Sequence, residues 1–176
     1  SEKFTVSFKD KDGRVISSKN DYSYRDDVVG VPASVSEMAQ DDVYTYEFIG
    51  WANDIGTNYY TVDEYNMDKE GAVIPYVHKD AAEFTVKGDA TYVPVYKMTK
   101  REYSVSYEYR VDGGATETVT IDGYNWDENP VMPEIKDNYT NAGKRNFITG
   151  WRINGAGAIR QLDEIQVSGN MRLVAV

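Results

Sequence analysis

Aromatic side chains set among carboxylates and amides are the feature of this chain that most suggests chemistry. Trp126 lies in the polar run Gly123-Tyr124-Asn125-Trp126-Asp127-Glu128-Asn129. A pyranose can stack its apolar face on an indole while neighbouring carboxylates and amides accept hydrogen bonds from its hydroxyl groups. The pattern therefore predicts a surface at Trp126 and Tyr124 that binds a sugar or a partner protein. The alternative is that Trp126 closes the edge of a sheet.

A second group of aromatic residues falls in the stretch 53–83. The chain contains 15 tyrosines. Exposed tyrosines provide rigid contact area at low cost in conformational entropy. Four tyrosines of this stretch are therefore candidate ligand-binding residues: Tyr59, Tyr60, Tyr65 and Tyr76. The alternative is a self-packed loop that covers one end of its module.

The remaining reactive residue types do not form a recognisable catalytic or metal-binding pattern. The single histidine, His78, accompanies no nucleophile-elbow motif, so a surface position is expected for it. The run Asp10-Lys11-Asp12-Gly13-Arg14 lacks the oxygen ligand that a calcium loop needs at its fifth position, which favours a turn. The 29 acidic residues leave paired carboxylates open, whereas the absence of cysteine removes thiolate chemistry. We predict no catalytic residues, no metal, no cofactor and no enzymatic activity.

The net charge of −10 narrows the choice of partners. Such a charge repels nucleic-acid phosphates and anionic lipid surfaces. No apolar run reaches the length of about 18 residues that a membrane span requires, and no N-terminal signal sequence is evident. We expect no nucleic-acid binding and no membrane insertion. A polysaccharide or a surface protein of a host or neighbouring cell remains open as partner, and so does the oligomeric state.

The elements that must position these residues occur twice. Phe4-Thr5-Val6-Ser7-Phe8 and Tyr103-Ser104-Val105-Ser106-Tyr107 alternate apolar and polar residues, which predicts a half-buried strand in each half of the chain. Each is followed by a glycine turn and a returning strand. A final strand is expected after Gly88-Asp89 and again after Gly169-Asn170. This repeat makes half of the chain the folding unit.

The repeat predicts two mostly-β or α+β modules, residues 1–98 and 99–176, each a small mixed sheet with at most one short helix. Gly50-Trp51 and Gly150-Trp151 recur at matching positions and are expected to be structural core residues, because a large indole packs well beside a glycine. The capping-box pattern Ser34-Val35-Ser36-Glu37 predicts a short helix over residues 35–40.

The modules differ in length at one place. Val86 follows Trp51 by 35 positions, whereas Val167 follows Trp151 by 16. The first module therefore carries an insertion within 53–83, the stretch that holds the tyrosine group. A long insertion in a compact module is often functional.

The order of several phrases resembles a known family. They are Phe4-Thr5-Val6-Ser7-Phe8-Lys9-Asp10-Lys11-Asp12-Gly13, then Tyr44-Thr45-Tyr46-Glu47-Phe48-Ile49-Gly50-Trp51, then Val86-Lys87-Gly88-Asp89-Ala90-Thr91-Tyr92-Val93-Pro94-Val95-Tyr96. Together they resemble the Listeria–Bacteroides repeat, also called the internalin-type B repeat. The insertion departs from the compact pattern of that family, and the second module keeps mainly Gly150-Trp151 and Val167-Ser168-Gly169-Asn170.

The resemblance implies a β-grasp-like fold and an extracellular place on a bacterial cell surface or in the secreted fraction. It implies a spacer or adhesion element of a larger, cell-wall-associated protein, with no catalytic residues to carry over. The alternative function is a carbohydrate-binding module that uses the exposed tryptophan and tyrosines.

Overall fold

Two sheets, one in each half of the chain, make up the protein. The computed structural model describes residues 2–67, 74–110, 114–136 and 148–176. The chain divides into a first unit, Ser1–Thr99, and a second unit, Lys100–Val176. In the second half, the glycine turn predicted after the first strand falls at 112–114, and its residues 112 and 113 lie outside the described residues.

The first unit is a mixed sheet whose first and last strands are parallel neighbours. Its described strands are β1 (Phe4–Lys9), β2 (Val15–Tyr22), β3 (Tyr44–Asn53), β4 (Tyr60–Asp63), β5 (Val77–His78) and β6 (Ala90–Lys100). Their order is β2-β1-β6-β3-β5, and β4 also pairs with β6. β1 and β2 form an antiparallel hairpin, whereas β1 runs parallel to β6.

The second unit repeats this plan with a shorter middle section. Its strands are β7 (Tyr103–Arg110), β8 (Thr116–Tyr124), β9 (Trp151–Ile153), β10 (Ala156–Arg160) and β11 (Met171–Ala175), in the order β10-β9-β11-β7-β8. β7 and β8 form the antiparallel hairpin, and β11 runs parallel to β7. The predicted mostly-β class with two small mixed sheets is therefore confirmed.

Local contacts at the corners of the two units are the same. In each unit the residue just after one strand donates its backbone N–H to a carbonyl oxygen of the last strand. After β3, Asp54 donates to Thr91 at 2.7 Å, and after β9, Asn154 donates to Arg172 at 2.8 Å. A second matched pair of bonds links the loop after the hairpin to the closing segment, Val86 to Asp26 at 2.9 Å and Val167 to Glu128 at 2.8 Å. The two units therefore share individual hydrogen bonds as well as strand order.

Each unit has its own apolar core around one indole. Trp51 is fully buried, and its ring meets Phe8 edge-on at a centroid distance of 4.9 Å. Its Nε1 is buried without a hydrogen-bond partner among the described residues, a cost that the large buried area of the ring offsets. Trp151 is likewise buried and meets Tyr107 edge-on at 5.4 Å. Gly50 and Gly150 are buried beside them.

The helix predicted over residues 35–40 is wrong, since this segment has no regular secondary structure. The hydroxyl of Tyr96 donates to the carbonyl oxygen of Ser36 at 2.7 Å, and Val35 packs against the first core. A helix of six residues gains little by itself. These tertiary contacts with an irregular backbone therefore take precedence over the capping-box signal. The only helical turns among the described residues are of 3₁₀ type, Glu64–Asn66 and Leu162–Glu164.

No helix within the described ranges is long and apolar enough to cross a membrane.

The β1–β2 turn is organised by Asp10, which is buried. Its Oδ1 accepts hydrogen bonds from the backbone N–H groups of Arg14 and Asp12, both at 2.9 Å. The bond from Arg14 and that from Asp12 lower the pKa of Asp10, against the opposing effect of burial. The predicted role of this acidic run as turn chemistry fits these contacts.

Asp10→Asn is expected to make the protein less stable at pH 7, with a difference from wild type that shrinks in acid. The folded-state pKa of Asp10 is depressed, so its carboxylate adds stability above the unfolded pKa of about 4. That contribution is lost as pH falls through the folded pKa. Urea unfolding at several pH values between 7 and 2.5 measures the difference, with the exposed Asp12→Asn as matched control. A difference that does not change with pH would contradict this assignment.

Candidate functional site

An exposed aromatic residue stands at the same corner of both units. It lies in the loop after the hairpin, residues 23–29 and 125–131, which we call the corner loop. Tyr24 is 58 % exposed and Trp126 is 39 % exposed. Each corner loop also carries an exposed valine, Val29 at 59 % and Val131 at 57 %. The structure therefore presents one aromatic and one aliphatic side chain to solvent at equivalent places in each unit.

The backbone of the corner loop fixes how the aromatic residue projects. The next residue has a positive φ, 69° at Arg25 and 72° at Asp127. The acid after it caps the loop: Asp26 accepts from the Ser23 N–H at 2.7 Å, and Glu128 accepts from the Asn125 N–H at 2.9 Å. The Glu128 carboxylate is thus partly engaged in holding the loop. Asp127 remains an exposed carboxylate next to Trp126.

Tyr124, predicted together with Trp126 to bind a ligand, does not lie on this surface. It is 6 % exposed and packs in the second core. Its hydroxyl oxygen lies 2.9 Å from that of Tyr107 and accepts from the Val131 N–H at 3.0 Å. Burial, followed by the hydrogen bond with Tyr124, raises the pKa of Tyr107 well above its ordinary value. Tyr124 is therefore a buried anchor of the corner loop.

Tyr22 performs the same role in the first unit. It is buried, and its hydroxyl accepts a hydrogen bond from the Val29 N–H at 3.0 Å. The sequence predicted a returning strand here, but not that a buried tyrosine at its end is followed two positions later by an exposed aromatic residue. The signal that reveals it is the match between Tyr22-Ser23-Tyr24 and Tyr124-Asn125-Trp126.

The tyrosines of the insertion mostly build structure. Tyr60 and Tyr76 are half-buried and pack on a third apolar cluster, formed by Ile49, Ala52, Val62 and Val95. The hydroxyl of Tyr60 also accepts a hydrogen bond from the Ile55 N–H at 3.3 Å. Their rings are therefore partly covered by this cluster, and ligand binding by them stays a prediction.

The two other insertion tyrosines keep more of their surface. Tyr59 is 37 % exposed and its ring meets Tyr96 edge-on at 6.1 Å. Tyr65 is 73 % exposed in the short 3₁₀ turn after β4. They remain candidates for a contact surface, but they do not share the duplicated setting of the corner loops.

The insertion covers the second face of the first sheet. Along β6, Tyr92 packs on the cluster around Trp51, whereas Val95 packs on the third cluster. The run Val93-Pro94-Val95-Tyr96 is buried throughout, as in a strand covered on both faces. In the second unit the described core residues form one cluster.

Each unit has a shallow groove near the start of one strand, β3 in the first unit and β9 in the second. In the first unit it has a volume of about 280 Å³ and is lined in part by Val35, Met38, Tyr46 and Phe48. In the second unit the groove has a volume of about 340 Å³ and is lined in part by Met132, Ile148 and Leu162. Both grooves combine apolar and polar walls.

His78 and two carboxylates, Asp41 and Asp54, support local structure. His78 is exposed, and its Nδ1 accepts a hydrogen bond from the Asp80 N–H at 3.1 Å. Asp41 and Asp54 serve as loop-capping carboxylates, accepting backbone N–H bonds from Tyr44 at 2.6 Å and from Gly56 at 2.7 Å. Within the part of the chain that the structure describes, no three potential ligands cluster in a way that could hold a metal ion.

No protein-family model matches the chain, and no curated protein or solved structure matches it either. The resemblance to the Listeria–Bacteroides repeat therefore remains a prediction from motifs.

Proposed function

We propose that this chain is a pair of non-catalytic repeat modules of a bacterial surface or secreted protein, related to the Listeria–Bacteroides repeat and acting as a spacer or adhesion element. The observation that carries the proposal is the duplicated architecture. Both units have the hairpin, the parallel pairing of first and last strands, and the buried indole. Modules that repeat a closed core extend a protein without needing a shared active site.

The strand order supports a β-grasp-like module, although the described parts of the connecting segments, residues 23–43 and 125–136, contain no helix. The hairpin strand, the first strand and the last strand lie in the order β2-β1-β6 in the first unit and β8-β7-β11 in the second. This agrees with the fold that the motif resemblance implies. The extracellular setting rests on that resemblance and on the acidic, cysteine-free composition.

A test of location uses intact bacterial cells that express the parent protein. An antibody against this chain should label the intact cells or recover the chain from the culture medium. Brief proteolysis of intact cells should remove the cell-bound signal while a cytosolic marker survives. A signal that appears only after lysis would contradict the proposed location.

A test of the spacer role exchanges the pair for an unrelated pair of β modules of similar length. The parent protein's activity on the cell should fall when the pair is deleted and return when the unrelated pair is inserted. Loss that the unrelated pair does not restore would contradict a pure spacer and favour a specific adhesion surface.

The second candidate function is carbohydrate binding, favoured by the exposed aromatic residue in each corner loop. Two equivalent rings, Tyr24 and Trp126, could each stack on a sugar, and two weak sites on one chain gain by avidity. The exposed Asp127 beside Trp126 supplies a hydrogen-bond acceptor for a hydroxyl group.

If this second function holds, Trp126→Ala and Tyr24→Ala should each reduce retention of the protein in polysaccharide gels, with the double variant retained least. Loss of one stacked ring is expected to weaken a site roughly tenfold or more, in line with the cost of an aromatic contact. Affinity electrophoresis with cell-wall and plant polysaccharides measures it, and circular dichroism checks the fold. Ile55→Ala, at an exposed aliphatic residue outside both corner loops, is the control. Equal retention of all variants, or none of the wild type, would reject carbohydrate binding at the corners.

A further inference from the structure

In each unit the strand that enters and the strand that leaves are parallel neighbours in the middle of the sheet. β1 pairs with β6 through Val6–Ala90, Ser7–Thr91 and Phe8–Tyr92. β7 pairs with β11 over four positions, from Val105–Met171 to Glu108–Val174. The chain reaches each pair at the start of its first strand and leaves at the end of its last strand. Tension along the chain therefore pulls the two strands past each other.

This geometry places the inter-strand hydrogen bonds under shear. The bonds of a parallel pair are evenly spaced, so a load along the strands is shared among them and they must fail together. Pulling the same two strands apart from one end would instead break the bonds one at a time. Forced unfolding depends on the height of this barrier and not only on equilibrium stability.

A side-chain bond lies at the loaded end of each pair. The Oδ1 of Asp89 accepts the backbone N–H of Thr5 at 2.8 Å. The Oδ1 of Asn170 accepts the backbone N–H of Ser104 at 2.8 Å. Each bond adds a tie between the two strands just ahead of the first paired residues. An aspartate and an asparagine make the same bond, so the shared feature is a side-chain Oδ1 acceptor, three bonds from the Cα atom.

A salt bridge lies toward the C-terminal end of the first strand in both units. In the second unit Arg172 of β11 pairs with Glu108 of β7 at 2.9 Å and also donates to the Asn154 carbonyl oxygen at 3.1 Å. In the first unit Lys9 of β1 pairs with Asp54 at 3.3 Å, and the Asp54 N–H donates to Thr91 of β6. Lys9 and Glu108 occupy corresponding positions with opposite charges, and each is linked to the last strand, Glu108 directly through Arg172 and Lys9 through Asp54.

We propose that each unit is a tension-bearing module, in which the parallel pair of terminal strands is a shear clamp and Asp89 and Asn170 act as its latches. The clamp is a property of each unit by itself. Its biological use rests on the proposed spacer role, since a surface spacer transmits pulling forces between a cell and whatever it contacts.

Single-molecule force spectroscopy on the full chain tests the clamp by changing only the pulling direction. The chain has no cysteine, so introduced pairs define the attachment points. Glu2→Cys with Lys100→Cys loads the β1–β6 pair in shear, whereas Glu2→Cys with Lys87→Cys peels it from one end. All three positions are exposed. The shear pair should rupture at a force roughly twofold higher, because its bonds share the load. Equal forces in the two directions would overturn the proposal.

The latch is tested in the shear geometry by an exchange of residues. Asp89→Ala should unfold roughly five- to tenfold faster at fixed force, the effect of losing one hydrogen bond that is intact in the folded state and broken at the unfolding barrier. Asp89→Asn should behave almost as wild type, because asparagine makes this bond at position 170. The exposed Asp21→Ala is the matched control for loss of a surface carboxylate.

In the second unit, Asn170→Ala and Asn170→Asp, pulled from Glu102→Cys and Val176→Cys, should show the same contrast. Asp89→Ala behaving like Asp21→Ala, or Asp89→Asn failing like Asp89→Ala, would overturn the latch. These forces are measured on the isolated protein. Their outcome is therefore independent of the module-exchange test in cells, and either proposal can fail alone.

Discussion

Trp51→Ala is expected to destabilise the first unit by about 3–5 kcal/mol, the usual cost of removing a buried aromatic side chain from a core. Trp151→Ala should do the same to the second unit. Trp51 contacts Phe8 and Phe48 at centroid distances of 4.9 and 5.2 Å, so its loss leaves a cavity that rigid rings cannot fill. The cores are separate clusters, so each substitution should act on its own unit.

Amide hydrogen exchange followed by mass spectrometry can read the two units separately. Trp51→Ala should speed exchange in β1 and β6 and leave β7 and β11 protected, and Trp151→Ala should give the reverse. Trp51→Phe is the matched control. It keeps an aromatic ring and removes the buried N–H that has no partner among the described residues, so its cost should be smaller. Equal loss of protection in both units from one substitution would contradict separate cores.

Gly50→Ala is expected to cost about 2–3 kcal/mol, a typical penalty for forcing an atom into a packed site. An added Cβ would overlap the carbonyl oxygen of Val77 and lie 2.8 Å from the ring of Tyr76. The carbonyl belongs to β5, which pairs with β3 at Gly50–His78 and Trp51–Val77. Unlike a side chain, the Val77 carbonyl group cannot adopt another rotamer to avoid the added Cβ, so β5 must move away from β3.

Gly150→Ala is the natural comparison, because the same sequence position meets a different neighbour. There the Cβ would overlap Cγ2 of Ile159, a side chain that is 47 % exposed and has room to move, and would lie 3.1 Å from the Arg160 carbonyl oxygen, a contact that a small shift relieves. The cost should stay below about 1.5 kcal/mol, as for substitutions that a core absorbs by repacking. Chemical denaturation of both variants measures the contrast. A Gly150→Ala variant as unstable as Gly50→Ala would show that the close approach of β5 does not explain Gly50.

The fold class was predictable from short-range pattern because alternation determines which side of a strand is buried. Val6 and Phe8, with Val105 and Tyr107, fall on the core face as the period of two requires. Turn chemistry at Asp12-Gly13 placed the first hairpin correctly. The helix over 35–40 failed because its sequence signal was local, whereas the Tyr96 hydroxyl that engages the Ser36 carbonyl lies 60 positions away.

The candidate site was only partly predictable, because exposure is a tertiary property. Trp126 and Tyr124 looked equivalent in a polar run, yet one projects into solvent and the other is buried with Tyr107. The sequence suggested that Tyr60 and Tyr76 lie in an exposed aromatic loop. In the structure, the insertion packs on β6, and both tyrosines contact the third cluster. The latches were visible as Gly88-Asp89 and Gly169-Asn170, but no sequence pattern states which backbone amide such a side chain will meet.

The account depends most on the claim that each half closes its own apolar interior. Expression of residues 1–99 and 100–176 as separate proteins, followed by ¹H–¹⁵N correlation spectra and urea unfolding, tests it directly. We predict that each piece gives a dispersed spectrum and one cooperative unfolding transition. A piece that gives a collapsed spectrum and no transition by itself, yet becomes ordered when the other piece is added, would contradict the claim.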